Sequence, residues 1–190
     1  FLAATDFSVY TSLANSNPST SVFPFLWDPE FKAQAGGYIF ANDTHFDQCF
    51  HGINISWSPI SKLVTNNHNS ITACRFTCQD PLNYPFNGGL HTEAGIHAMH
   101  ASHLKVDDGN SFSNLRFGIR SNQVQNVMIK DNNTFNYCKV GASARALDII
   151  ANVQIIGTDA NNANSFNWCE VPIQCESVNA TIQYNKINEN

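Results

Sequence analysis

Charge is scarce in this 190-residue chain. Asp, Glu, Lys and Arg together make up 13% of it, and only 10 residues are Lys or Arg. With a net charge of −5 and no basic stripe, it offers no surface for nucleic acid. No apolar run approaches the roughly 18 residues that a helical membrane span needs, so no membrane insertion of this segment is expected. There is no Cys-x-x-Cys pair, which removes the usual structural zinc site. The chain begins at Phe1 with neither Met nor a signal-peptide pattern, and Asn190 falls partway through a repeat. It therefore reads as a processed product or a piece of something longer.

Asparagine is abundant instead, at 25 residues. It is a poor residue for helix interiors and strand centres. It is a good turn residue, because its side chain caps backbone groups and tolerates left-handed conformations. Few charges, many Asn and scattered Phe, Ile and Val point to short strands joined by tight turns, not to amphipathic helices.

One pattern recurs. "HFDQCFHGI" (45–53), "SFSNLRFGI" (111–119), "TFNYCKVGA" (134–142) and "SFNWCEVPI" (165–173) share a phenylalanine, a Cys or Leu three residues on, then a small residue and an aliphatic one. Anchored on Phe46, Phe76, Phe112, Phe135 and Phe166, with Ile187 in the same role, the gaps are 30, 36, 23, 31 and 21 residues. Two residues before the anchors stand Thr44, Cys74, Asn110, Asn133, Asn164 and Asn185, and upstream of each runs a short alternating β-rich segment such as "LKV", "VMI" or "VQII". The long gaps resolve into a basic unit plus insertions, the clearest being the Pro- and Gly-rich "QDPLNYPFNGGLH" (79–91).

A unit of about 22 residues made of short strands and Asn-rich turns suits one coil of a parallel β-helix. Such a coil cannot bury its own apolar side, so coils stack about 4.8 Å apart into a continuous core. Phe then stacks on Phe, and Asn on Asn with hydrogen bonds along the column. The repeats resemble those of right-handed parallel β-helix proteins of the pectin-lyase-like superfamily, in particular repeat segments of large secreted bacterial surface proteins. The expected fold is an all-β, right-handed parallel β-helix of about six coils over residues 37–190, running out at the C-terminal end. Residues 1–36 fall outside the pattern and are left as a cap, a preceding coil or an inserted loop.

Six cysteines invite a disulfide framework, but the repeat argues for another use. Cys49, Cys138 and Cys169 share a slot with Leu115, so it accepts a medium apolar side chain, and free Cys behaves as one. Reduced ladder residues are the favoured reading, although adjacent-coil pairs such as Cys138 and Cys169 lie close enough to oxidise.

Candidate chemistry is thin. His91, His97, His100 and His103 cluster with Glu93, yet on strands the successive histidines face opposite ways, and no metal site is expected. The resemblance implies enzymes acting on polysaccharides, which need paired carboxylates, or a cationic base with acids that hold calcium. The outward column Lys105, Met128, Gln154 and Thr181 contains no acid. Asp107 and Asp108, with Lys130 and Asp131 one coil on, form the strongest catalytic or Ca2+ candidate, against the plainer reading of an acidic turn. Trp57, Tyr84 and Phe86 sit in the long inserts, where they either stack on sugar or anchor a partner, or fold back over the coil.

Three functions fit. The favoured one is a non-catalytic scaffold or adhesin segment, extracellular or on a bacterial cell surface. Its partners would be the rest of a larger polypeptide or a surface or secretion assembly, with polysaccharide as a candidate ligand. The others are a polysaccharide lyase or glycoside hydrolase fragment, and a phage tail-spike-like receptor-binding β-helix.

Overall fold

A computed structural model describes residues 6–10, 39–47, 49–56, 69–78, 93–101 and 103–188, those of 6–10 by their backbone alone. Every regular element among them is a strand, so no helix there is long and apolar enough to cross a membrane. β1 (Asp6–Tyr10) precedes a succession of triplets. These are β2 (Phe40–Asn42), β3 (His45–Asp47) and β4 (His51–Ser56); then β5 (Asn69–Thr72), β6 (Arg75–Thr77) and β7 (Ala94–Met99). Next come β8 (His103–Asp107), β9 (Ser111–Ser113) and β10 (Phe117–Asn122), followed by β11 (Asn126–Lys130), β12 (Thr134–Asn136) and β13 (Val140–Arg145). β14 (Asn152–Ile156), β15 (Asn164–Asn167) and β16 (Val171–Glu176) make the last triplet, and β17 (Asn179–Gln183) and β18 (Asn185–Asn188) follow it.

Each strand pairs in parallel with its counterpart one triplet away, giving three six-stranded sheets: β1-β4-β7-β10-β13-β16, β2-β5-β8-β11-β14-β17 and β3-β6-β9-β12-β15-β18. This is a parallel β-solenoid, wound with the right hand that parallel crossovers take. About four turns stand where six were expected. Those traced from first strand to third are β2–β4 (apart from residue 48), β8–β10, β11–β13 and β14–β16. The insert between β6 and β7 interrupts a further one, and β17 and β18 supply only two of three sides.

The recurring motif has a steric explanation. Phe46, Phe76, Phe112, Phe135 and Phe166 stack face to face inside, with centroids 4.9, 4.9, 4.8 and 4.6 Å apart and planes within 7° of parallel. Ile187 continues the column opposite Phe166. The small residue after each anchor is glycine at 52, 95, 118 and 141, and it makes room for the ring of the following turn. A Cβ on Gly118 would lie 2.6 Å from Phe135 Cδ1 and 2.6 Å from the Gly141 carbonyl oxygen. Where the following turn carries Ile187 instead of Phe, the glycine position is Pro172. Around the Phe column pack Ile53, Ile96 and Ile119 from one sheet and Ile71, Val106, Ile129 and Ile155 from another, all fully buried.

The asparagines form two ladders. In the inner one the Asn110, Asn133 and Asn164 side chains are buried. Each Oδ1 accepts a main-chain amide from the turn before it, as in Cys74 N to Asn110 Oδ1 at 2.9 Å and Asn110 N to Asn133 Oδ1 at 3.2 Å. Each Nδ2 donates onward: Asn110 to Asn133 (2.8 Å), Asn133 to Asn164 (2.9 Å) and Asn164 to Asn185 (3.0 Å). Buried amides are thus satisfied without water. The second ladder, absent from the expectations, joins Asn136, Asn167 and Asn188 at 2.8 and 2.6 Å, one residue after the anchors. The corners rely on left-handed residues: Asp43, Asp108, Asp131, Asn114, Tyr137 and Trp168 all have φ between 45° and 58°. Asn and Asp tolerate that region best. Tyr137 and Trp168 are held there by amide bonds of 3.0 Å to Asn167 O and Asn188 O of the next turn.

Candidate functional site

The four acid–base candidates do come together, at the corner where β8 and β11 end. Asp107 and Lys130 are register neighbours on adjacent strands. Their chemistry is engaged locally, however. Asp107 forms an ion pair with Lys105, two residues back on the same outward face. Asp108 accepts from Asn132 Nδ2 at 3.1 Å. Asp131 accepts the Thr158 amide at 2.5 Å and the Thr158 hydroxyl at 2.9 and 2.8 Å, with Lys130 Nζ 3.3 Å away. Burial works to raise the Asp131 pKa, but the Thr158 hydroxyl and amide, joined by Lys130, outweigh it and hold the carboxyl below its ordinary value. A carboxylate in that state is a turn-to-turn clamp; it keeps no proton to give at neutral pH. Next to it, Asp159 caps its own turn through the Asn161 and Asn162 amides at 2.7 and 3.1 Å.

The outer face of the β7–β10–β13 sheet carries the other charged group. Glu93 lies between two arginines, 2.8 Å from Arg116 and 2.5 Å from Arg120. The Arg120 guanidinium also sits 5.0 Å from the centroid of the Phe117 ring. This places Glu93 in an ion-pair network with the two arginines. His97 instead meets His51, rings 4.9 Å apart, on register-adjacent strands. Among the described residues no three His, Cys, Asp or Glu side chains converge as a metal site. His91, Trp57, Tyr84 and Phe86 lie outside the described residues.

An exposed aromatic pair went unpredicted. Tyr137 and Trp168 occupy equivalent corners of successive turns and stack at 4.8 Å. Each ring covers one face of the other, and both side chains remain exposed. The signal was available in the sequence, since both residues follow the anchor by two.

None of the six cysteines is bridged in the structure. Cys138 is buried and Cys169 half-buried in the slot that Leu115 fills one turn earlier. Cys169 is the more acidic thiol: a hydrogen bond from Cys138 lowers its pKa to about 7, while the same contact and burial push Cys138 up.

No family model, curated protein or solved structure matches the chain. The fold itself thus defines the class: a parallel β-helix built on phenylalanine and asparagine ladders.

Proposed function

We propose that this chain is a rigid, non-catalytic β-helical segment of a larger secreted or cell-surface bacterial protein, of the pectin-lyase-like kind. The observation that carries the reading is the use made of its polar side chains. At the corner where β8 and β11 end, Asp107, Asp108 and Asp131 are engaged by Lys105, Asn132 and Thr158, contacts within a strand or between neighbouring turns. Glu93 and Glu176 are likewise paired, with arginines. Stacked rings, amide ladders and clamped corners all resist displacement of one turn against the next, which is what a spacer or adhesive stalk requires.

The test is a depolymerisation assay on uronate and neutral polysaccharides, with and without calcium, run beside a glycan array. The reading expects no chain cleavage under either condition. Any adhesion to glycan is expected to fall when Trp57, Tyr84 or Phe86 is replaced by Ala. Turnover of any uronate polymer that is lost in Asp131→Asn would establish the enzyme reading in its place.

A further inference from the structure

We propose that Cys138 and Cys169 form a peroxide-sensitive thiol pair, closing under oxidation into a disulfide that ties one turn of the solenoid to the next. The proposal stands apart from the scaffold reading and rests on different atoms. The two residues face each other across adjacent turns: the Glu170 amide donates to the Cys138 carbonyl at 3.2 Å, and the Tyr137 amide to the Asn167 carbonyl at 3.0 Å. Parallel neighbours of this kind run about 4.8 Å apart. That falls within the roughly 4.4–6.8 Å between Cα atoms that a disulfide spans. The Cys169 thiol already reaches back into the turn of Cys138, donating to the Phe135 carbonyl at 3.6 Å. On its other side Cys138 has Leu115 in the equivalent slot, so within this column Cys169 is its one sulfur neighbour.

The two thiols are unequal, and the inequality suits them to sequential roles. Cys169 is half-buried and carries the pKa of about 7, so about half of it is thiolate at pH 7, and it is open to a small oxidant. Cys138 is buried and stays protonated until it reacts. The Cys169 sulfur attacks one oxygen of hydrogen peroxide and the O–O bond breaks. The departing hydroxide takes a proton to become water, leaving Cys169 as the sulfenic acid. The Cys138 sulfur then attacks the Cys169 sulfur, the S–O bond breaks, and the Cys138 proton leaves with the hydroxide as a second water. In sum, two thiols and one peroxide give one disulfide and two waters, and two electrons pass to the peroxide. A reducing dithiol reverses the reaction.

The experiment uses the unmodified, fully reduced chain at pH 7. It is treated with hydrogen peroxide near stoichiometry, blocked with an alkylating agent, and digested without reduction by trypsin and a Glu-specific protease. Cleavage after Lys130, Lys139, Arg145 and Glu170 separates Cys138, Cys169 and Cys175 onto different fragments. The expected product is fragment 131–139 cross-linked to fragment 146–170, released by dithiothreitol, with free thiols falling from six to four. Cys138→Ser should abolish the cross-link and leave Cys169 as a sulfenic acid that dimedone traps. The wild-type chain should form little of that adduct. The proposal is overturned if Cys169 runs on to sulfinic acid while Cys138 remains alkylatable, if other cysteine pairings predominate, or if Cys169 reacts no faster than the buried Cys74.

Discussion

Replacing Phe135 by Ala is the most direct test of the inner column. The side chain is fully buried, its ring lying 4.8 Å from Phe112 and 4.6 Å from Phe166. Phe→Ala in a core removes about 3–5 kcal/mol through lost transfer energy and the cavity left behind. Two stacked neighbours lose a partner at once, each such pair adding about 0.5–1.5 kcal/mol beyond area. Collapse is hindered, because the rings above and below are held in register by β-pairing on both sides. We therefore expect the upper part of the range, about 4–5 kcal/mol, against roughly half as much for Phe46→Ala, which is only partly buried. The assay is equilibrium urea unfolding, followed by far-ultraviolet circular dichroism and by tryptophan fluorescence. Coincident curves are required, because solenoids unfold in parts when cooperativity fails. A loss below about 1 kcal/mol for Phe135→Ala would refute the buried ladder. A companion, Gly118→Ala, forces a Cβ against both the Phe135 ring and the Gly141 carbonyl and should cost about 1–3 kcal/mol. In the Phe135→Ala background the ring clash is gone but the carbonyl remains, so the penalty should shrink without vanishing. Strict additivity would mean the glycine is not there for the ring.

Other outcomes follow from the polar columns. Asn133→Ala takes the acceptor from the buried Asn110 main-chain amide and should cost about 1–3 kcal/mol in the same titration, while Asn188→Ala at the exposed end should cost a few tenths. Asp131, with its pKa below the ordinary value, adds stability above the unfolded carboxyl's pKa, and this is lost as pH falls through the folded one. The melting temperature of Asp131→Asn should therefore lie below wild type at pH 7 and converge with it as the pH drops through and below 4; a gap unchanged by pH would contradict the clamp.

The winding was legible in the chain because a solenoid writes its third dimension into its period. Phe135 over Phe166, or Lys105 beside Met128, can be read by aligning copies, since register neighbours are one repeat apart. The site was less legible because its contacts do not repeat. Thr158 clamps Asp131 from a loop found in one turn alone, and Glu93 engages Arg116 and Arg120 on a face the repeat leaves variable. The second Asn ladder was missed although it repeats, because it appears only in the last three turns, where Ser113 and Thr77 give way to Asn136. The number of turns was overcounted because anchors can be counted where a full circuit of three strands cannot be traced.

The offset between glycine and phenylalanine bears on how such a chain can change its length. Each turn holds half of two different joints: a ring that needs a glycine in the turn before, and a glycine that admits a ring from the turn after. Copying a whole turn in tandem therefore copies one half of each joint, and every new junction is matched from the start. The turn with Phe166 and Pro172 breaks this symmetry. It can follow a glycine-bearing turn, but its proline closes the space that another phenylalanine would enter, and Ile187 lies there instead. Such a turn can be joined on one side by any of its neighbours and on the other only by a smaller side chain, which makes it a boundary within the series.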